Sequence, residues 1–277
     1  MKKYTSFALT ALLCVVMAGA AFAAIGSGGG TENFESVGTL ANGDQIIESK
    51  ISNISGWSYY ETCSAPFFYY DNDDTTGFGT ASGAGEKPAG AGCLRVYTIS
   101  STTEPPRIGS TEISAGRTIT LTGWFAVKTP PVGQSIQFAI HFPLWEAAAN
   151  KGRIHMGIFD TAGDVGFKIR REFTTTADDV NLSVGSSDSD GTDYALNTWN
   201  KVEISVTSSD TATGQVQISF NGSPVGSPVD IVADPLEKFL TARCNVTCWP
   251  SMTTGEVYID DLTVQTDSGV DEWMMFE

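Results

Sequence analysis

Residues 118–127 read TITLTGWFAV, and apolar and polar side chains alternate along them. One set of alternate positions is apolar: Ile119, Leu121, Phe125 and Val127. The other set consists of Thr120, Thr122 and Trp124. A period of two, built from β-branched and aromatic residues, is typical of a β-strand with one buried face. This stretch therefore predicts a strand at the interface between two layers of a β-protein.

Similar alternating segments recur along the chain and are separated by turn-forming residues. They are SIQFAIHF (135–142), GRIHMGIF (152–159), VGFKIRREF (165–173), NKVEISV (200–206), QVQISF (215–220) and EVYIDDLTV (256–264). Asn221-Gly222 follows QVQISF and is a strong signal for a hairpin turn. Only residues 144–151 (LWEAAANK) have the composition for a short helix. Many short strands without a βαβ rhythm predict an all-β fold, a two-layer antiparallel jelly-roll β-sandwich.

The N-terminus has the three parts of a secretory signal peptide. Lys2 and Lys3 are followed by an uncharged apolar run from Phe7 to Phe22, which ends at Ala21-Phe22-Ala23. We expect cleavage after Ala23, with an uncleaved anchor as the alternative, and no membrane span in the mature chain. The predicted divisions are a signal peptide (1–23), a Gly-rich linker (24–31), the jelly-roll domain (32–266) and an acidic tail (267–277). The expected location is secreted, periplasmic or at the cell surface.

The chain is strongly acidic. Its formal charge is −16, and it becomes −18 when Lys2 and Lys3 leave with the signal peptide. Such a balance repels nucleic acid, so we expect no nucleic-acid partner. Acidity on this scale favours solubility or cation binding.

Four cysteines remain after the signal peptide is removed: Cys63, Cys93, Cys244 and Cys248. An even number in an exported chain favours two disulfides over a zinc site, and three pairings are possible. The local solution pairs Cys63 with Cys93, and Cys244 with Cys248. The second bond requires a bend, because residues four apart in an extended strand are ~13 Å apart.

Three segments suggest a family. They are ENFES (32–36), TWNKVEISVTSSDTATGQVQISFNGSPVG (198–226) and GEVYIDDLTVQ (255–265). In this order they resemble the concanavalin A-like jelly rolls, which include laminin-G-like lectin domains, polysaccharide-active enzymes and carbohydrate-binding modules. The resemblance implies that the first and last strands pair and that a structural calcium bridges them. Glu35 and Asp260 lie where its ligands would be, with Asp261 as a substitute; ordinary solvated acids are the alternative reading.

Candidate ligand-binding residues come from a cluster of cations. Of the fourteen Lys and Arg residues of the mature chain, five fall between Lys151 and Arg171. Alternation places polar side chains of neighbouring strands on one face, and we expect this ligand-binding set: Trp124, Gln137, His141, Arg153, His155 and Arg170. Trp57 and Tyr59, in the aromatic segment 57–70, offer an alternative surface for stacking on sugar rings.

These features predict a carbohydrate-binding, lectin-like protein without catalysis. A polysaccharide-degrading enzyme is the first alternative, and a structural or adhesive surface protein is the second. The paired glutamates that glycoside hydrolases of this fold carry on one strand are absent, which favours a lyase over a hydrolase. No catalytic residue is assigned from the sequence, and the expected partner is a polysaccharide or glycan.

Overall fold

A computed structural model describes residues 29–32, 34, 41–43, 57–59, 68–72, 75–88, 90, 92–97, 107–110, 113–114, 118–132, 136–141, 153–161, 164–172, 182–184, 194–207, 214–230, 241–248 and 254–267. These ranges make up the described part of the chain. They contain strands and turns but no helix, and so nothing long and apolar enough to cross a membrane as a helix. The predicted helix at 144–151 and the signal peptide lie outside them.

Ten of the described strands form one sheet. Its strands are β1 (Gly29–Glu32), β3 (Phe68–Asp71), β4 (Gly79–Thr80), β5 (Cys93–Tyr97), β8 (Thr118–Val132), β13 (Thr198–Thr207), β14 (Gln215–Phe220), β15 (Ser223–Pro224), β16 (Val229–Asp230) and β18 (Thr254–Asp267). Their order is β15-β14-β13-β8-β18-β5-β3, with β1 beside β18, β16 beside β14 and β4 beside β13. The pairs are antiparallel except for β4 with β13. The last strand along the chain is thus central.

Eight further strands form the second sheet. They are β2 (Trp57–Tyr59), β6 (Arg107–Ser110), β7 (Ile113–Ser114), β9 (Ile136–His141), β10 (Arg153–Thr161), β11 (Asp164–Glu172), β12 (Leu182–Val184) and β17 (Thr241–Cys248). The order is β12-β11-β10-β9-β17-β6-β2, all antiparallel, with β7 beside β17. The predicted two-layer antiparallel jelly-roll sandwich is confirmed.

The main core lies between the two sheets. Phe125 of β8 is fully buried, and its ring packs against Phe138 of β9, with 6.3 Å between ring centroids. Tyr194 and Phe220 contact the same ring from the ends of the ten-stranded sheet. The apolar set predicted from 118–127 is buried, as expected. Alternation in β8 therefore identifies the side that faces the second layer.

A second apolar cluster lies on the outer side of the ten-stranded sheet. Residues 75–88, which we call the strap, cross this side and place Phe78 and Ala84 over the sheet. The sheet residues beneath are Cys93, Trp124, Ala126, Trp199 and Tyr258. Phe78 meets Tyr258 edge to face at 5.5 Å. These apolar residues occupy the alternate strand positions that face away from the second sheet. They are covered by the strap and not by the other sheet.

The strap makes the prediction for Trp124 wrong. Trp124 was expected to share a ligand-binding face with Gln137 and His141, but it lies in the other sheet and is only 6% exposed. Period-two alternation distinguishes the two sides of a strand, but it does not show which sheet the strand joins or whether a loop covers it. Trp199 of β13 is buried in the same cluster.

The domain begins earlier than the sequence suggested. Gly29–Glu32 pairs with β18 in the register Gly29↔Gln265 to Glu32↔Leu262. Residues 29–31, assigned above to a flexible linker, are therefore part of a strand. β18 likewise runs one residue past the predicted domain end, to Asp267. Glycine lacks a side chain to pack, and the strand signal in this segment is correspondingly weak.

The backbone excludes one predicted disulfide. Cys244 and Cys248 both lie in β17, which pairs without a break from Arg243↔His141 to Cys248↔Ile136. Their Cα atoms are therefore ~13 Å apart, whereas a disulfide needs about 4.4–6.8 Å. Cys93 lies in the strap cluster, on the far side of the ten-stranded sheet from β17. Cys63 is outside the described residues, so at most one disulfide can form within the mature chain.

The hairpin turn predicted at Asn221-Gly222 is present, and it touches the strap. Asn221 and Gly222 have φ of 48° and 76°. Asn221 Oδ1 accepts a hydrogen bond from the Lys201 amide at 2.8 Å, and its Nδ2 donates to Asn200 Oδ1. A Cβ added at Gly222 would lie 2.6 Å from the carbonyl oxygen of Gly83 in the strap. Glycine is required here both for its conformation and for the close approach.

We expect Gly222→Ala to destabilise the fold by about 2–3 kcal/mol, combining left-handed strain with a backbone clash. Gly226→Ala is the matched control, since Gly226 has φ of 64° but no atom within 4 Å of the added Cβ. It should cost only about 1 kcal/mol, the conformational part. Urea unfolding of both variants measures the difference, and equal losses would contradict the strap contact.

Candidate functional site

One side of the eight-stranded sheet faces outward, away from the core. Phe138 and Ile140 of β9 are fully buried, and Phe138 contacts the ten-stranded sheet. Because successive strand residues alternate between sides, Gln137, Ala139 and His141 occupy positions on the opposite, outer side. The pairing register then shows which positions of the neighbouring strands lie beside them.

The outer positions form three rows that run across the strands. The first row is Arg243, His141, Arg153 and Glu172 on β17, β9, β10 and β11. The second row is Gly109, Asn245, Ala139, His155 and Arg170, from β6 to β11. The third row is Arg107, Thr247, Gln137, Gly157, Lys168 and Ser183, from β6 to β12. Neighbours within a row are about 4.5–5.5 Å apart.

Five of the six predicted ligand-binding residues share this face. His141 is directly opposite Arg153, and His155 is directly opposite Arg170. Gln137 lies in the third row, four residues from His141 on the same strand. β9 and β10, which carry His141 and Arg153, form an antiparallel pair. Trp124 is the exception described above.

The strand register adds three positively charged residues and one amide to this face that the sequence analysis did not assign to it. Arg243 extends the His141 row, Asn245 extends the His155 row, and Arg107 begins the third row. Lys168 on β11 adds a further positive position to the third row. The signal in β17 was present, since ARCNVTC alternates polar with apolar residues. What the sequence did not contain was the pairing of β17 with β9, across about a hundred residues.

The three rows concentrate positive charge in an acidic protein. They hold five Lys or Arg positions and two histidines against one carboxylate, Glu172. The whole chain has a formal charge of −16. Guanidinium groups form paired hydrogen bonds with carboxylates, and a local positive field concentrates anionic ligands. This arrangement suits a ligand that carries repeated negative charges.

Small residues occupy the middle of the face. Ala139 and Gly157 lie between longer residues of the second and third rows, and Gly109 is at the β6 end of the second row. In the third row the positions of Arg107 and Lys168 lie on either side of Gly157, which leaves a polymer chain space against the sheet. Trp57 and Tyr59, the alternative aromatic surface, pair with Ser110 and Ile108. These positions alternate with the outer positions Arg107 and Gly109, so they belong to the side of the sheet that faces the core. Their register does not place them on this face.

The predicted metal-ligating residues lie at a change of strand partner. β18 pairs with β5 up to Ile259↔Leu94 and with β1 from Leu262 onward. Its register against β8 shifts between Asp260↔Trp124 and Thr263↔Thr122, so Asp260 and Asp261 lie at a β-bulge. Asp260 is 3% exposed, and its Oδ1 accepts a hydrogen bond from the Asp261 amide at 2.7 Å. Phe34 is buried with φ of 54°, and its carbonyl oxygen approaches Gly92 closely.

Asp260 supplies a buried carboxylate at the predicted metal site, and carboxylate oxygens are ligands of the type that calcium takes. Within the described part of the chain no three His, Cys, Asp or Glu residues come together. Glu35, the third predicted ligand, lies outside it.

Comparison with known proteins reaches the level of the fold. No family model matches this chain, and no curated protein sequence matches it. Among solved structures, it is similar to the marine PL-14 alginate lyase from Aplysia kurodai, with a TM-score of 0.51, 8% identity, and 86% of this chain and 98% of that chain covered. It is also similar to the cellulose induced protein Cip1, with a TM-score of 0.50, 13% identity, and 86% and 97% of the two chains covered.

These similarities show the fold of the chain. The chain has a jelly-roll β-sandwich fold that it shares with a polysaccharide lyase, in line with the concanavalin A-like resemblance at the level of architecture. One fold hosts many activities, so the function has to be argued from the face itself.

Proposed function

We propose that this protein is a polysaccharide lyase that acts on a uronate-containing polysaccharide. The observation that carries the proposal is the first row on the eight-stranded sheet, where His141 is flanked by Arg243 and Arg153. A histidine between two guanidinium positions combines a proton acceptor with groups that neutralise a carboxylate. The fold shared with an alginate lyase supports this reading over a non-catalytic binding protein.

The reaction that fits is β-elimination beside a uronate carboxylate. A base removes the C5 proton, a double bond forms between C4 and C5, and the C4–O4 bond breaks so that O4 leaves with a proton. The C5 proton is only weakly acidic while the carboxylate is negatively charged. Arginine and glutamine donors on the carboxylate stabilise the charge that develops in the transition state.

The residues of the face provide for these steps. Arg153 and Arg243 are the neighbours of His141 that hold the carboxylate, and Gln137 supplies a further amide donor. In this proposal His141 accepts the C5 proton as the general base. His155, beside Arg170 in the second row, is the second proton carrier.

The experiment incubates the protein with alginate and with polygalacturonate and follows the ultraviolet absorbance of the unsaturated product. We expect product with the wild type and a loss of at least about a hundredfold in His141→Ala, as removal of a general base commonly gives. Lys87→Ala removes an exposed cation from the strap and is the control that keeps activity.

The outcomes separate the candidate functions. Binding of either polymer without product would favour the lectin-like binding protein. If the protein neither binds the polymers nor forms product, a structural or adhesive protein is the remaining candidate. Product that survives in both His141→Ala and His155→Ala would place the chemistry elsewhere on the chain.

We also propose a structural calcium at the β18 bulge, held by Asp260 with Glu35 and, where geometry requires, Asp261. The support is a carboxylate buried to 3% exposure, at the position where β18 exchanges β5 for β1. A cation there would join two segments that are distant in the sequence. It plays no part in the elimination.

Calcium should raise the melting temperature, because it binds the folded state and not the unfolded chain. At a free concentration a hundredfold above the dissociation constant the gain is about 2.7 kcal/mol. Asp260→Asn should abolish the shift, whereas Glu86→Gln, an exposed acid in the strap, should keep it. A melt in chelator identical to one in millimolar calcium would contradict the site.

The proposed location follows from the substrate. A polymer of this kind is outside the cytoplasm, and residues 1–23 carry the three parts of an export signal. We propose that the mature protein is secreted, periplasmic or on the cell surface.

A further inference from the structure

The outer side of the ten-stranded sheet divides into two halves of different chemistry. The strap covers the half that contains Trp124, Trp199 and Tyr258. The other half is open, and we call it the hydroxyl face. Its residues with described side chains, all at least partly exposed, are Thr118, Thr120, Thr122, Glu203, Ser205, Thr207, Gln215, Gln217, Ser219, Thr263 and Gln265, together with Pro224 beside Ser219 and Asp230 beside Gln215.

The hydroxyl face is a regular array. One row across β18, β8, β13 and β14 is Thr263, Thr122, Glu203 and Ser219. The next row is Gln265, Thr120, Ser205 and Gln217, and a third contains Thr118, Thr207 and Gln215. Adjacent strands are about 4.8 Å apart, which is close to the length of one sugar in an extended β-1,4-linked chain.

Hydrogen bonds hold several of these side chains in fixed orientations. Thr120 Oγ1 donates to Ser205 Oγ at 3.1 Å, and the Thr118 and Thr207 hydroxyls are 3.5 Å apart. Gln217 Nε2 donates to the Ile218 carbonyl at 2.8 Å, and Gln215 Nε2 donates to Asp230 at 3.0 Å. Groups fixed in this way lose little further conformational entropy when a ligand binds.

Charge decides which kind of ligand fits. Glu203 and Asp230 are the two charged residues among the thirteen, and neither Lys nor Arg is among them. Without cations the face offers nothing to a polyuronate or a nucleic acid. Pro224, at one edge of the face, is its single apolar residue, which is too little for a lipid or an apolar protein surface, and the strap already covers the aromatic residues. Hydroxyl and amide groups match a neutral, hydroxyl-rich polymer.

We propose that the hydroxyl face is a second binding surface, for a neutral β-linked polysaccharide. It lies on the opposite side of the sandwich from the cationic rows, so both surfaces can be occupied at once. One side would hold the protein on a neutral matrix while the other meets an acidic chain. The proposal does not depend on lyase activity.

The test is retention on three insoluble neutral solids: amorphous cellulose, xylan without acidic substituents, and mannan. We expect the wild type to bind at least one of them. The variant Thr120→Ala/Ser205→Ala/Gln217→Ala should bind that solid at least tenfold more weakly, because three hydrogen-bonding groups are removed. Removing Thr120 and Ser205 together leaves neither partner unsatisfied, which preserves the fold.

Controls separate this surface from the other. Glu203→Gln removes one of the two charges and should bind as well as the wild type or better. Arg153→Glu/Arg170→Glu, on the opposite sheet, should leave retention unchanged. Should the triple variant melt well below the wild type, Thr207→Ala/Gln265→Ala, at two exposed positions, provides the same comparison.

Three results would overturn the proposal. They are a wild type that none of the solids retains, alanine variants that are retained as well as the wild type, and retention that disappears with Arg153→Glu/Arg170→Glu. Lack of activity on alginate and polygalacturonate would affect the proposed function and leave this inference standing.

Discussion

Reversing two charges with Arg153→Glu and Arg170→Glu is expected to weaken polyuronate binding at least about a hundredfold. The two positions lie in adjacent rows on β10 and β11, beside His141 and His155. A charge-assisted hydrogen bond contributes about 1.5–3 kcal/mol, so loss of two removes at least about 3 kcal/mol, or two orders of magnitude in Kd. Titration with a uronate oligosaccharide at low salt measures the effect.

The control must change net charge by the same amount elsewhere. Lys87→Glu/Lys128→Glu does so in the strap and on β8, both in the other layer. This variant should retain most of the binding. Equal losses in the two variants would mean that overall charge and not the outer face of the eight-stranded sheet attracts the polymer. Wild-type binding should also weaken as salt rises, because exposed charges are screened.

Phe125→Ala should produce the largest loss of stability. Its ring is fully buried between the sheets and packs against Phe138, Tyr194 and Phe220. Truncation of a buried phenylalanine leaves a cavity and costs about 3–5 kcal/mol. For a chain of this length, this lowers the Tm by roughly 10 °C. Denaturant unfolding at constant pH measures the free energy directly.

Phe125→Leu is the matched control, since it keeps most of the volume and should cost less than about 1.5 kcal/mol. If the alanine variant lost no more than the leucine variant, the interface between the sheets would be less tightly packed than the ring contacts of Phe125 indicate. Both variants leave the outer faces untouched, so ligand binding should survive wherever the protein remains folded.

The sequence predicted the strands and their sidedness because both depend on local periodicity. The buried set Ile119, Leu121, Phe125 and Val127 followed from alternation alone. His141 and Arg153 were assigned to one face by alternation, and the short stretch between their strands lets β9 and β10 pair so that the two residues are opposite each other. Local periodicity and short connections between strands are therefore sufficient to predict the strands and their buried sides.

Strand pairing between segments that are distant along the chain could not be predicted from the sequence. Arg243 was missed because β17 pairs with β9 across a long separation. Trp124 was misplaced because parity does not reveal that residues 75–88 cover the far side of its sheet. The Cys244–Cys248 bond was excluded only once β17 was seen to continue through both residues. Each of these facts depends on which segments meet in space.

The central position of β18 has a consequence for the order of folding. It contacts β8 along one edge and β5 and β1 along the other, so the ten-stranded sheet stays divided until this strand arrives. Contacts between segments so distant in sequence form slowly, because the loop they close is long. A nascent chain that still lacks Thr254–Asp267 therefore cannot complete its fold. Until then β8, β13 and β14 on one side and β5 and β3 on the other have no strand between them to join the two parts of the sheet.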